Sequence, residues 1–438
     1  MAEALAISPS YLNLVERNQR PVSATLLVKL ADRFDFDPRA LASVEPGGGA
    51  DALRRRLADP LFADLEIDRN EVEEWLAGAP GGVEAFARAF DRLTAAGAGA
   101  ASGDDIDPVT AVRREVERWR GHFADLDAAA ETLADELRLG AGDLYGAIAE
   151  RLRVKHQLTI RILPVDVMPD LLRRLDLHAR QLQLSETLDP ASRTFAAAFQ
   201  LAQIEARAEI DALAKGAGFA DRAADRLFRR HVASYFAAAV MMPYARFLRA
   251  CEATGYDIEL LQRRFGAGFE QVAHRLTTLQ RIGARGLPFF MVRIDRAGQS
   301  SKRFSGASAS PLAEAERRCP LWRLHHAFDR PGSLTVQLVA LEDDSCWLTM
   351  ARTVTPQGRR YGAIPAEFAV GLGIAAGLGG TLAIARGIDL AGEATPIGLG
   401  CTACLRDACP QRSAPPAGRA LIVNERERGV SAFGFVGD

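Results

Sequence analysis

FAAAFQLAQ (residues 195–203) and YFAAAVMMP (residues 235–243) are the two stretches on which the fold turns. Both sit inside longer runs that read as helix, SRTFAAAFQLAQIEARAEIDALA (192–214) and ADRLFRRHVASYFAAAVMMPYARFLRACE (224–252), rich in alanine and in apolar residues at helical spacing. Working back from them, LTIRILPVDVMP (158–169) alternates apolar residues and ends in Pro169, which fits a strand, and the charged, alanine- and leucine-rich segment 110–153 reads as a long helix or a helix pair. Working forward, the texture changes after about residue 286. LPFFMVRIDRAG (287–298), LTVQLVALED (334–343), CWLTMARTV (346–354) and LIVNERE (421–427) are short β-rich runs separated by turns. The expected fold class is therefore α+β and multidomain, helical first and α+β afterwards.

Composition bounds the function. A chain of 438 residues with 48% hydrophobic and 25% charged residues is too long for one ordinary core and has the balance of a soluble globular protein of two to four domains. A net charge of −2 excludes overall basicity as a nucleic-acid signal, so any DNA contact has to be local. No apolar run reaches the length of a membrane helix and no secretion signal is seen at the start of the sequence, so a cytoplasmic location is the expectation. Six cysteines are too few for a disulfide scaffold in a chain this long. VEPGGGAD (44–51) reads as a flexible break and TAAGAGAASGDDID (94–107) as a low-complexity linker. The expected divisions are 1–43, 44–109, 110–285 and 286–438.

ISPSYLNLVERNQRPVSATLLVKLADRFDFDP (7–38) resembles the second half of a Cro/repressor-type helix-turn-helix. Ser8 and Pro9 are a favoured helix start. In a recognition helix of that type Ser10, Tyr11 and Asn13 face the groove while Arg17 and Arg20 meet phosphate. A plain helical hairpin is the competing reading of the same spacing. The resemblance implies that the motif's first helix and most of its second precede Met1, so the expectation is a truncated all-α reading head whose true start lies upstream.

FAAAFQLAQ and YFAAAVMMP together resemble the metallopeptidase-like domain of the ImmA/IrrE family, in which one helix carries H-E-x-x-H and a second supplies a glutamate. Two histidines four apart bind zinc from one helix face, and the glutamate between them activates water. The matching positions here are Phe199, Gln200, Leu201, Ala202 and Gln203, with Ala239 for the second-helix glutamate. The ligands and the base are replaced, so the domain is expected to be a fold reused without peptidase chemistry. Seven Lys/Arg against three Asp between residues 151 and 180, four arginines in DRAADRLFRRH (221–231), and Lys302 and Arg303 suggest an anion such as the phosphates of coenzyme A. For any one of them taken singly, an ordinary solvated helix face is the better account.

The order of motifs resembles the bacterial short-chain fatty-acyl transcriptional regulators over nearly the whole chain. YDIELLQRRFGAGFEQVAHRLTTLQR (256–281), CPLW (319–322) and CTACLRDACPQRSAPP (401–416) carry the resemblance most specifically. It implies a homo-oligomeric, promoter-binding regulator of propionyl-CoA, methylcitrate or glyoxylate-type genes, with an α+β sensory domain that takes an acyl-CoA. The candidate ligand contacts are Arg193, Tyr235, Tyr244, Lys302 and Arg303.

The cysteines are spaced C-x2-C-x4-C at Cys401, Cys404 and Cys409, and a tetrahedral or cubane site needs a fourth thiolate. Cys319 is the choice, because it sits in a turn-like RRCPLW that belongs to the family's pattern. Cys251 reads as helical and Cys346 as part of a strand. Spacing leaves zinc and iron-sulfur open; the resemblance favours a [4Fe-4S] cluster. Two other readings stay in view, a redox sensor without an acyl-CoA ligand and a zinc peptidase. GLGIAAGLGG (371–380) lacks Rossmann and P-loop spacing and reads as close packing of small residues, and the adjacent His325 and His326 are expected on a strand, one buried and one solvated.

Overall fold

The computed structural model describes residues 49–57, 67–97, 107–138, 143–306, 310–315, 317–356 and 366–435, with single positions between and before them. The predicted DNA contacts Ser10, Tyr11, Asn13, Arg17 and Arg20 lie outside the described residues. Internal contacts divide the chain into Met1–Ile106 and Asp107–Asp438.

In the first unit the described helices are α1 (Gly49–Leu57), α2 (Arg69–Gly78) and α3 (Pro80–Gly97). Asp68 caps α2 by accepting from the Asn70 and Glu71 amides at 2.7 and 2.9 Å. Leu53, Val72 and Val83 form the small core, with Trp75 and Phe86 against it.

The second unit opens with α4 (Pro108–Arg118), α5 (Ala124–Arg138) and α6 (Leu144–His156), three helices where the charged segment suggested one or two. The left-handed Gly121 breaks the first from the second, and Asp143 caps the third. Next come β1 (Thr159–Leu163), β2 (Arg173–Asp176) and β3 (Gln181–Ser185), ordered β1-β3-β2, with β1 parallel and β2 antiparallel to β3. The expected strand is β1. Arg173, Arg174 and Arg180, read as part of a basic tract, instead belong to the β2–β3 hairpin.

Six helices follow: α7 (Pro190–Glu205), α8 (Arg207–Ala217), α9 (Arg222–Met241), α10 (Tyr244–Thr254), α11 (Ile258–Phe265) and α12 (Phe269–Thr277). The centre of the unit is α9. Its C-terminal half, from Tyr235 to Met241, is buried on every face, the signature of a helix inside a core. The short side chains of Ala237, Ala238 and Ala239 let neighbouring helices approach, and α9 packs on α7, α5 and α4.

The C-terminal sheet contains β4 (Phe290–Ile294), β5 (Ser300–Ser305), β6 (Thr335–Ala340), β7 (Cys346–Val354), β8 (Phe368–Ala375) and β9 (Thr395–Pro396), with the short helix α13 (Pro311–Glu314) after β5. The order is β5-β4-β8-β7-β6-β9, antiparallel except for the β6–β9 pair. A two-stranded β10 (Leu421–Ile422) and β11 (Gly434–Phe435) closes the chain.

One expectation is borne out here and another needs correction: the small residues of GLGIAAGLGG are closely packed. The glycine-rich GLGIAAGLGG begins as β8, a central strand. Gly371 and Gly373 pair with Val292 and Phe290 of β4, and a Cβ on Gly373 would lie 2.5 Å from Phe290 Cζ. The absent side chain is what lets the Phe290 ring lie across the sheet. Gly373→Val is expected to cost about 1–3 kcal/mol through overpacking, measured as a lowered midpoint in thermal or urea unfolding. His325 and His326 lie on a 3-10 turn (His325–Phe328) and not on a strand.

Among the described residues no helix is long and apolar enough to cross a membrane.

Candidate functional site

The positions that would carry peptidase chemistry are filled by packing. Leu201, Ala202 and Ala239 are fully buried, and Gln200 nearly so. From β2, the Arg173 guanidinium lies 4.6 Å from the centre of the Phe199 ring and donates to Gln200 Oε1 at 2.7 Å. Burial, and then the charge of Arg230, pull the Arg173 pKa down. With a fixed cation against these positions, and phenylalanine and glutamines in place of histidines and glutamate, the motif positions supply neither a zinc ligand nor a general base.

Beside them lies a polar network that residue-by-residue reading missed. Arg275 of α12 and Asp127 of α5, both essentially without solvent exposure, pair at 2.6 Å. The Tyr235 hydroxyl donates to Asp127 Oδ2 at 2.7 Å, and His122 Nδ1 stands 3.2 Å from the same oxygen. Burial works against the Asp127 charge, but Arg275 and the bonds from His122 and Tyr235 outweigh it and hold the carboxyl below its usual range.

This placement gives two of the expected ligand contacts partners inside the protein. Tyr235 is a core residue whose hydroxyl belongs to Asp127. Tyr244 is also buried, donating to the Ala284 carbonyl and accepting from the Arg281 amide, both at 2.8 Å. Neither lines the cavity described next, and each phenol has its partner inside the protein. Arg193 donates to the Glu186 carbonyl at 2.8 Å and stands apart from the cavity described next.

Lys302 and Arg303 do reach a cavity. It measures about 460 Å³ and lies between α4, the α9 and α12 histidines, and β5. One wall is apolar: Val112 and Val116 of α4 face Phe304, whose ring lies 4.3 Å from His274 and 5.8 Å from His231 between centres. Both imidazoles are held neutral. Burial and then Lys302 push His231 down to about 4, and burial, His231 and Lys302 push His274 well below its normal value. The rest of the lining is polar and charged, with Arg113, Lys302 and Arg303 against Glu117. Lys302 Nζ donates to Glu270 at 2.6 Å, Arg293 bonds the same carboxylate at 2.9 Å, and Arg303 donates to the Glu314 carbonyl at 3.1 Å. An apolar pocket with a cationic rim suits a ligand with an alkyl end and an anionic end.

The cysteine loop follows β9. Cys319 and Cys404 are buried, and Cys401 and Cys409 partly so. Their charges reach one another: Cys401 and Cys409 act on Cys319, and Cys319 acts on Cys404. Burial raises the Cys319 and Cys404 thiols above their usual range, against backbone N–H groups of Gly398 and Leu321 aimed at Cys319 and of Arg406 at Cys404. The Ser413 amide donates to Cys401 Sγ at 3.4 Å, and Arg412, itself buried, donates to the Cys401 and Cys404 carbonyls at 3.1 Å. Amides aimed at sulfur and a buried guanidinium are the surroundings thiolates require. Cys251 is buried in α10 with its thiol pushed up by desolvation, and Cys346 Sγ donates to the Asp344 carbonyl at 3.7 Å, so neither joins the group. Among the described residues no three His, Cys, Asp or Glu side chains converge closely enough to hold a metal ion. The donor chemistry is that of a thiolate-bound metal, but the four sulfurs do not form one shell.

The second unit thus joins peptidase-like helices without the H-E-x-x-H residues, a cavity and a thiol loop. The description "Short-chain fatty acyl coenzyme A regulator, C-terminal" matches residues 278–433, and that of the IrrE N-terminal-like domain matches residues 153–277. The chain is 36% identical over 450 residues to the HTH-type transcriptional regulator RamB of Mycobacterium tuberculosis, covering 99% of this chain and 94% of that one. The chain belongs to the short-chain fatty acyl coenzyme A regulator family: it is a DNA-binding transcriptional regulator, not an enzyme. It is also 35% identical over 451 residues to the propionyl-CoA carboxylase regulator of Cereibacter sphaeroides, with 99% and 94% covered. A solved Mycobacterium tuberculosis transcriptional regulator superposes with a TM-score of 0.70 at 34% identity, covering 75% of this chain and all of that one.

Proposed function

We propose that this regulator is a cytoplasmic homo-oligomer that senses a short-chain acyl-CoA and controls genes of propionate-type metabolism. The observation that carries the reading is the cavity with Val116 and Phe304 on its apolar wall and Lys302 and Arg303 on its rim. The acyl-pantetheine end enters the apolar part, and the phosphates lie toward the basic rim, where charge-assisted hydrogen bonds are available. His231 and His274, held neutral, add aromatic wall without a competing charge. Ligand shifts the regulator between DNA-binding states only through different affinity for the two. The name of the Cereibacter relative supports propionyl-CoA metabolism as the setting.

In the same reading Cys319, Cys401, Cys404 and Cys409 hold an iron-sulfur cluster, with zinc the alternative. Such a group cross-links the loop and supplies, in the iron-sulfur case, one-electron redox chemistry. The residues' own part is to present sulfur, offset its charge through Arg412 and the amides, and exclude water.

The test is calorimetric titration of the full chain with propionyl-CoA. Saturable binding is expected, weakened roughly tenfold or more by Val116→Trp, which fills the apolar wall and loses the buried alkyl contact. Absence of binding by acetyl-, propionyl- and butyryl-CoA overturns acyl-CoA sensing and leaves the redox reading.

A further inference from the structure

The turn before Cys319 holds an arginine that the cavity and the thiol loop do not account for. Arg318 donates from Nη2 to Ser300 Oγ at 2.7 Å, while its Nε and Nη1 are buried with no hydrogen-bond partner. No carboxylate pairs with it among the described residues, and the nearest charge acting on it is another cation, Arg303. His325, on the 3-10 turn nearby, feels the Arg318 charge and also has a buried, unpartnered ring nitrogen, Nε2. Its ring packs on the β4–β5 turn, where a Cβ on Gly298 would sit 3.3 Å from Cε1. The acid of that turn, Asp295, already accepts from the Gln299 amide at 2.8 Å.

Buried donors are normally satisfied, and a buried guanidinium normally finds an anion. Here Arg318 and His325 bring together three buried guanidinium or ring nitrogens with no hydrogen-bond partner, and among the described residues no carboxylate pairs with Arg318. Ser300 and Arg303 also line the cavity, so the cluster opens on its edge.

We infer that Arg318, with Ser300, Arg303 and His325, forms an oxyanion-binding subsite for a phosphate group. Arg318 keeps unused N–H groups at Nε and Nη1 for charge-assisted hydrogen bonds to a phosphate, and Ser300 holds Nη2 in place. The phosphate belongs either to the cavity's organic ligand or to free inorganic phosphate, and the chemistry at the protein is the same for both. The subsite stands on its own observations and does not need the acyl-CoA reading.

The experiment follows thermal midpoint and calorimetric binding of the full chain with inorganic phosphate and, separately, with coenzyme A. Wild type, Arg318→Gln and Arg318→Lys are compared, with metal content checked in each because Cys319 is adjacent. In phosphate-free buffer Arg318→Gln is expected to melt no lower than wild type, because it removes an uncompensated buried charge; a structural arginine would instead leave a less stable protein. Phosphate should raise the wild-type midpoint, fail to raise that of Arg318→Gln, and bind Arg318→Lys with intermediate strength, the loss in Gln being roughly tenfold or more. Coenzyme A displacing phosphate assigns the subsite to the organic ligand; coenzyme A binding alongside phosphate assigns it to the free ion. Phosphate binding without coenzyme A binding supports the subsite while overturning the acyl-CoA reading. Equal response of wild type and Arg318→Gln to both probes, or no response of wild type to either, overturns the subsite.

Discussion

Arg275→Met is expected to destabilise the second unit by about 3–5 kcal/mol at neutral pH, the usual cost of leaving one partner of a buried ion pair uncompensated. In the wild type Arg275 donates to Asp127 at 2.6 Å and to the Met242 carbonyl at 3.0 Å, so one side chain ties α12 to α5 and to the end of α9. The measurement is urea unfolding as a function of pH. Asp127 has a depressed pKa in the folded wild type, so its contribution is present above the unfolded carboxylate range and is lost as pH falls through the folded value. In Arg275→Met the sign reverses. Desolvation is no longer opposed by the guanidinium, the folded carboxyl rises above its unfolded value, and the deficit relative to wild type shrinks on acidification as Asp127 takes up a proton. The double change Arg275→Met with Asp127→Leu should recover a large part of the loss at neutral pH. A deficit under about 1 kcal/mol, or one that grows on acidification, would show that the pair does not hold these helices together.

The sequence could not have disclosed that pair. Its members stand 148 positions apart, and each alone reads as an ordinary solvated charge on a helix. Local pattern reports local structure: the alanine-rich runs around Phe195 and Tyr235 announce buried helices because every face is apolar. β4, β6 and β7 show themselves by dense β-branched and aromatic residues. β5 reads SSKRFS and is polar because it is an edge strand beside a cavity, and β8 is masked by the glycines that let Phe290 cross it. The same limit separates the site residues. Lys302 and Arg303 were legible as charge next to an aromatic, and they do line the cavity. Tyr235 and Tyr244 carried the same signal but lie in the core, since nothing local tells a tyrosine whose hydroxyl has an internal partner from one that meets a ligand. His231 and His274, 43 positions apart by their numbering, could be paired only by the packing of α9 on α12.

Cys319→Ser should abolish metal retention altogether, although Cys319 lies 82 positions before the nearest of the other three cysteines by their numbering. The prediction rests on the neighbourhood the fold creates. Gly398, just ahead of the loop, aims its amide at Cys319, and a Cβ at Gly398 would lie 2.6 Å from Cys404 Sγ, so one glycine touches both halves of the proposed site. Anaerobically purified wild type is expected to carry about four iron and four acid-labile sulfide per chain, with a broad visible absorption. Cys319→Ser and Cys404→Ser should fall to background in all three measurements, while Cys346→Ser, whose sulfur bonds the Asp344 carbonyl away from the loop, should match wild type. Zinc without sulfide, lost in the same two variants, would keep the four ligands and replace the cluster by a structural metal. Retention of the group in Cys319→Ser would remove Cys319 from the ligand set. The loss should also register mechanically. Without a bond between the turn at Cys319 and the loop at 401–409, that loop keeps the hydrogen bonds of Arg412, those of Arg406 to the Ile397, Ala340 and Leu341 carbonyls and that of the Leu405 amide to Glu342, so limited proteolysis should still cut within 401–409 in Cys319→Ser sooner than in wild type. Faster cleavage together with full metal content would separate a packing role for Cys319 from ligation.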